Sequence, residues 1–127
     1  MMYPAIEYMT DFVGEDLRMA GVYTDEGYEI QYVKDEVDTV DARQRAERYV
    51  TFAREDNDRT TDTEALPFEK YHADIRMFDG ASIFNLPLTE KEYNILFSLD
   101  PDAARNYRAI IREVHRKTYE KPPALFR

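Results

Sequence analysis

Two apolar periodicities alternate along this chain, and their order restricts the folds that it can adopt. Apolar residues that recur every three or four positions predict three helices, over residues 4–18, 39–54 and 100–118. In the first helix an apolar stripe runs from Ile6 to Leu17, and Pro4 suits the first helical turn, where a missing N–H costs nothing. Such stripes indicate core packing.

Alternation of apolar and polar residues predicts five strands, over residues 19–24, 28–33, 71–78, 81–88 and 93–99. Asp25-Glu26-Gly27 would close the first hairpin, with Gly27 supplying a positive φ, and Asp79-Gly80 would close a second. Pro87 cannot donate to a ladder, so we expect a sheet edge or a strand exit there.

The clearest helix start is predicted at Asp100-Pro101-Asp102. Asp100 would be the N-cap, Pro101 the first helical residue, and Asp102 would favour the positive end of the helix dipole. Residues 55–70 are mostly polar and predict a solvated loop, which at that length would be functional or mobile.

The predicted order is α-β-β-α-β-β-β-α, which indicates an α+β fold: a five-stranded antiparallel sheet with three helices packed against it. The chain has 127 residues, a length that suits one domain. We expect residues 1–118 to form that domain and residues 119–127 to form a C-terminal tail. The tail retains Tyr119, Leu125 and Phe126, which could dock on the domain or on a partner.

This element order resembles that of the roadblock/LC7 and profilin-like groups of small domains. The resemblance implies that the first and last helices share one face of the sheet and that the middle helix covers the other face.

Two short segments are similar to small uncharacterised proteins of haloarchaea. They are Ile75-Arg76-Met77-Phe78-Asp79-Gly80-Ala81-Ser82 and Ser98-Leu99-Asp100-Pro101-Asp102-Ala103-Ala104-Arg105-Asn106. This resemblance implies a salt-adapted cytoplasm. It carries no activity and no functional residue.

Charge is distributed unevenly along the chain. The 26 acidic and 17 basic residues give a net charge of −9. Residues 103–127 hold seven basic and two acidic residues, a net +5, so residues 1–102 carry −14. The acidity indicates a surface adapted to concentrated salt, with nucleic-acid mimicry or cation binding as the alternative.

The residue types that most catalytic and metal sites need are scarce. There is no Cys, the two histidines, His72 and His115, are far apart, and the four glycines form no phosphate-binding loop. We therefore expect no enzyme, no metal and no cofactor. The N-terminus shows no leader and no segment is apolar enough to span a membrane, so we expect a cytoplasmic protein.

Two candidate surfaces remain. A basic one comprises Arg105, Arg108, Arg112 and Arg116, whose spacings of three, four and four predict one helix face. This face could bind nucleic acid, a ribosome or an acidic partner, or could simply be a solvated helix face that pairs with the acidic body.

The second candidate is a dimer surface on helix 39–54 and strand 71–78, with Arg45, Tyr49, Phe52 and Arg76. Ten tyrosines and an aromatic content of 13% favour an interface. We expect a non-enzymatic interaction module that binds itself or another protein. The alternatives are a nucleic-acid- or ribosome-associated factor and, third, a small-molecule sensor with a pocket between sheet and helices.

Overall fold

The computed structural model of the chain describes residues 2–35, 39–59, 73–88, 93–103 and 105–119. They form three helices, α1 (Pro4–Phe12), α2 (Thr39–Arg59) and α3 (Tyr107–Tyr119), and five strands, β1 (Leu17–Tyr23), β2 (Tyr28–Val33), β3 (Asp74–Met77), β4 (Ser82–Leu86) and β5 (Asn94–Leu99). The strands make one antiparallel sheet in the order β2-β1-β5-β4-β3. The predicted fold class is confirmed.

The sheet has a separate apolar core on each face. On one face, α1 and α3 pack together and cover side chains that include Phe84 and Phe97, whose rings stack with centroids 4.6 Å apart. On the other face, α2 inserts Ala46, Val50 and Ala53 against Met19, Tyr23, Ile83 and Leu96. The first and last helices thus share one face and the middle helix covers the other.

The first helix is shorter than predicted. It ends at Phe12, Gly14 follows at φ 61°, and Leu17 belongs to β1. The register between β1 and β5 shifts between Leu17 and Met19, and this irregularity lets Leu17 join the core under α1 although Met19 faces α2. Leu17 therefore fits the apolar spacing of the first helix in the sequence and packs in the same core, although it lies in a strand.

The turn between β1 and β2 does not use Gly27 as predicted. Among the described residues only Gly14 is a glycine with positive φ. At the turn, the Thr24 hydroxyl accepts hydrogen bonds from the N–H groups of Glu26 and Gly27 at 3.1 and 3.2 Å. The short side chain of Thr24 thus provides the acceptor for two backbone N–H groups of the turn.

Asp100 is not a helix N-cap. Its carboxylate accepts hydrogen bonds from Arg18 Nη1 at 3.0 Å and Lys34 Nζ at 3.2 Å, so it ties the end of β5 to β1 and to the residue after β2. The helix α3 begins seven residues later, at Tyr107, where the Asn106 side chain accepts the N–H of Ala109 at 3.1 Å. The Asp100 carboxylate therefore binds basic residues that are distant in the sequence and does not cap the helix that follows.

Other boundaries differ by a few residues. The helix α2 continues to Arg59, so residues 55–59 are helical and not part of a loop. The strand β4 ends at Leu86, directly before Pro87, as expected of a proline at a strand exit. The rest of the predicted loop, residues 60–70, His72 and residues 120–127 of the tail lie outside the described residues. Within the described part of the chain, no helix has the length and apolarity required to cross a membrane.

Gly21 should be intolerant of any side chain. A Cβ atom there would lie 2.5 Å from the backbone oxygen of Glu29 in the neighbouring strand, so the β1–β2 pair would have to separate. We expect Gly21→Ala to lower the free energy of unfolding by about 1–3 kcal/mol in chemical denaturation. Gly27→Ala, where no atom lies within 4 Å, is the matched control and should change it by less than about 0.5 kcal/mol. Equal effects would contradict the close approach.

Asp100 should make stability depend on pH. Partial burial raises the pKa of its carboxyl, but the hydrogen bonds and charges of Arg18 and Lys34 outweigh this and lower the pKa below its usual value. Ionised Asp100 therefore stabilises the fold above the carboxyl pKa of the unfolded chain, and this contribution is lost as the pH falls through the lowered folded-state pKa.

Accordingly, Asp100→Asn should destabilise the protein by about 1–2 kcal/mol at pH 7, and the difference from the wild type should vanish in acid. Asp102→Asn removes the same charge from an exposed position and serves as the control. Thermal unfolding across the acid range measures both, and a difference that persists at the lowest pH would exclude the ionic account.

Candidate interaction surfaces

The outer flank of α2 and the strand β3 form one continuous surface, which we call the α2–β3 surface. It comprises Tyr49 and Phe52 of α2, Arg76 of β3 and Phe78 directly after β3. The Arg76 guanidinium carbon lies 4.2 Å from the centroid of the Phe52 ring, and the rings of Tyr49 and Phe78 are 6.5 Å apart. The cation–π contact fixes Arg76 on the face of the sheet that α2 covers.

Exposed apolar side chains concentrate around this surface. Of the eight large hydrophobic residues exposed in the described part of the chain, four lie on this surface or directly behind it: Phe52 at 43% and Phe78 at 53% on the surface, and Ile75 and Met77 at 39% and 73% on the opposite face of β3. The sequence pattern assigned Ile75 and Met77 to the apolar face of a strand, which would normally be buried. They are exposed because β3 is a four-residue strand at the sheet edge.

Behind the α2–β3 surface lies a small hollow of about 30 Å³ between α2 and the sheet. Tyr49, Phe52 and Arg76 line it, with Asn85 and Leu96 among the residues of the strands beneath. The buried Asn85 accepts a hydrogen bond from the hydroxyl of buried Tyr23, which links β4 to β1 across β5. The hollow has room for about one water molecule, far less than the pockets that enclose small ligands.

Three of the four predicted dimer residues thus come together, and the fourth lies beside them. Arg45 is one helical turn before Tyr49 and pairs with Asp41 at 2.9 Å, with both side chains largely exposed. Prediction from sequence did not include Ile75, Met77 and Phe78 among the candidate surface residues. They follow the mostly polar residues 55–70 in the chain, and this position indicates a strand at the edge of the sheet.

The four predicted basic residues do not form one helix face. Arg105 precedes α3 by two residues; its Nε donates to Asp16 at 2.7 Å and its Nη2 to the carbonyl of Val13 at 3.1 Å, next to the end of α1. On α3 itself, Arg116 pairs with Glu113 at 2.9 Å, and this hydrogen bond is the main reason why the pKa of the Glu113 carboxyl is lowered. These two arginines are therefore engaged within the domain.

Arg108 and Arg112 are exposed on α3, and no ion pair joins either of them to a described residue. The candidate basic surface is thereby reduced from four arginines to these two. His115, half-buried on α3, is the described one of the two histidines, and no group of three or more His, Asp or Glu residues in the described ranges could hold a metal ion.

Comparison with known proteins identifies the family. A family described as a domain of unknown function (DUF7522) matches residues 4–119, from the first residue of α1 to the last residue of α3. The chain belongs to the DUF7522 family. Neither the curated proteins nor the solved structures contain a match. The family carries no assigned activity.

Replacing different arginines of this DUF7522 domain should lower its free energy of unfolding by different amounts. Arg105→Ala removes the ion pair with Asp16 and the hydrogen bond to Val13, and we expect it to lower the free energy of unfolding by about 1 kcal/mol. Arg108→Ala, on the exposed face of α3, should change it by less than about 0.5 kcal/mol. Parallel urea titrations make the comparison, and equal losses would contradict a structural role specific to Arg105.

Proposed function

We propose that this protein is a non-enzymatic interaction module that associates with a second copy of itself through the α2–β3 surface, in a salt-adapted cytoplasm. The observation that carries the proposal is the clustering of half of the exposed large hydrophobic residues of the described chain on α2 and β3. Phe52 and Phe78 lie on the face of the sheet that α2 covers, and Ile75 and Met77 lie on the other face of the same edge strand, so exposed apolar side chains flank this edge on both faces. A group of exposed apolar side chains on a small domain indicates an interaction site, whereas single ones do not.

The composition of the patch supports a protein interface. Aromatic residues, Met and Arg are enriched in interface cores relative to the remaining surface, while Lys, Glu and Asp are depleted. Tyr49, Phe52, Arg76, Met77 and Phe78 conform to this pattern. The stacking of Arg76 on Phe52 also holds both side chains before any partner arrives, which reduces the entropy that association must overcome.

The net charge of −9 sets the conditions for self-association. Two copies repel each other at low ionic strength, because their fields extend about 30 Å at 0.01 M salt. At about 1 M salt the range falls to roughly 3 Å, and the apolar contact then acts almost unopposed. The acidic composition and the haloarchaeal resemblance both support such a salt-adapted setting, in which association should strengthen as salt is added.

The non-catalytic role is proposed on the sequence. The chain has no cysteine, and its two histidines are separated by more than forty positions, so the usual nucleophile and base combinations have few candidates. A nucleic-acid- or ribosome-associated role is the second candidate, and it now depends on the exposed pair Arg108 and Arg112.

Phe52→Glu should abolish the association. It places a carboxylate among the aromatic side chains of the α2–β3 surface and removes the ring on which Arg76 stacks. We expect the wild type to sediment as a dimer at high salt, and the dissociation constant of the variant to be at least about tenfold higher. Sedimentation equilibrium over a concentration series at low and high salt measures both.

Phe12→Glu is the matched control, because Phe12 is 67% exposed but lies on α1, against the opposite face of the sheet. The Phe12 variant should dimerise as the wild type does. A wild-type protein that remains monomeric at every salt and protein concentration would overturn the proposed function, as would equal weakening by the two substitutions.

A further inference from the structure

The hydrogen-bond pattern of β3 determines which of its backbone groups point away from the sheet. The N–H of Phe78 donates to the carbonyl of Ala81 at 2.8 Å, at the end of the β3–β4 ladder. In an antiparallel pair, hydrogen-bonded and non-hydrogen-bonded residue pairs alternate. Asp74 and Arg76 therefore bond inward to β4, and the N–H and C=O groups of Ile75 and Met77 point outward, where the described residues place no further strand.

The side chains of β3 divide between the two faces with the same alternation. Arg76 lies opposite Ile83, whose side chain belongs to the core under α2, and Ile75 lies opposite Phe84, which belongs to the core under α1 and α3. Consequently Asp74 and Arg76 stand on the α2 face, while Ile75 and Met77 stand on the other face.

A second copy can join this edge in antiparallel orientation about a two-fold axis, but only in a few registers. The symmetry and the outward groups of Ile75 and Met77 require one residue of β3 to lie directly opposite the same residue of the second copy. The axis then passes midway between these two residues, and each register is named by them. An axis at Asp74 opposes two aspartates, and an axis at Arg76 opposes two arginines; like charges directly opposite are destabilising. An axis at Met77 leaves Asp74 beyond the end of the partner strand.

An axis at Ile75 alone gives complementary charges. Asp74 then lies opposite Arg76 of the second copy, and Arg76 lies opposite the second Asp74, so the symmetry creates two ion pairs on the α2 face. On the other face Ile75 meets Ile75, and Met77 meets Ala73. The outward N–H and C=O groups of Ile75 pair with those of its counterpart, which gives partners to groups that no strand of the described ranges reaches.

We propose that two copies join their β3 edges in this register, with the two Ile75 residues opposite each other across the two-fold axis, and so form one continuous ten-stranded antiparallel sheet. The inference depends on the proposed self-association and adds its geometry. Because the axis is perpendicular to the sheet, both copies of α2 lie on the same face of the continuous sheet.

Introduced thiols test the register, because the chain contains no cysteine of its own. Asp74 and Arg76 of the second copy form a non-hydrogen-bonded pair with Cα atoms about 4.5 Å apart, within the range that a disulfide spans. Asp74→Cys and Arg76→Cys are prepared separately, mixed at high salt and exposed to oxidised glutathione. We expect cross-linked dimers, resolved by non-reducing electrophoresis, in the mixture and little in either variant alone.

The other outcomes identify the alternatives. Strong cross-linking of Arg76→Cys alone indicates the axis at Arg76 and overturns the proposed register, and the same result for Asp74→Cys indicates the axis at Asp74. Asp102→Cys, exposed and distant along the chain, reports collisional cross-linking. If the wild type sediments as a dimer but the mixture does not exceed this control, the register is wrong while self-association stands. A monomeric wild type overturns both.

Charge reversal provides an independent readout that needs no oxidation. Asp74→Arg alone and Arg76→Asp alone each place like charges opposite in the proposed register, and each should raise the dissociation constant about tenfold or more at low salt. The double variant restores opposite charges and should recover the wild-type value within about threefold. With the axis at Arg76, the double variant would oppose two aspartates where the wild type opposes two arginines, so the two substitutions would not compensate each other. Failure of the double variant to recover would therefore overturn the proposal.

Discussion

The pairing of β1 with β5 is the interaction on which the remaining structure depends. These strands occupy the second and third positions of the sheet, and their side chains supply both cores. Phe97 packs under α1 and α3, whereas Leu96, its neighbour in sequence, packs under α2. Any loss of this pair would therefore expose both faces at once, and no helix could retain its place.

Acidic residues in this protein do more than keep its surface hydrated. Asp100 holds Arg18 and Lys34 at the end of β5, and Asp16 holds Arg105 before α3. A chain with an excess of carboxylates thus uses a few of them to join segments that are distant in sequence. Concentrated salt weakens exposed ion pairs but affects partly buried ones less, so the junction at Asp100, whose contacts are partly buried, suits the proposed setting.

The number, type and order of the elements could be predicted because apolar periodicity survives in a single sequence. Two of the errors arose where a distant partner prevailed over a local signal. Asp100 has the form of an N-cap, but Arg18, 82 positions away, binds its carboxylate. Arg105 continues a helical spacing, but Asp16 holds it outside the helix. Tyr49, Phe52 and Arg76 lie together because neighbouring elements meet, and their role as a dimer surface stays a prediction. The exposure of Ile75, in contrast, depends on the position of β3 in the sheet.

The position of β1 and β5 at the centre has a consequence for synthesis of the chain. Leu17 pairs with Leu99, so most of the sequence must be made before the central ladder can close. At a translation rate of 5–20 residues per second, β1 waits about 4–15 s for its partner. During that interval the β1–β2 hairpin has no sheet on either side of it and no finished core beneath it. The carboxylates that give residues 1–102 their charge of −14 would hydrate this unpaired segment throughout the wait, an effect that acts before the protein has folded.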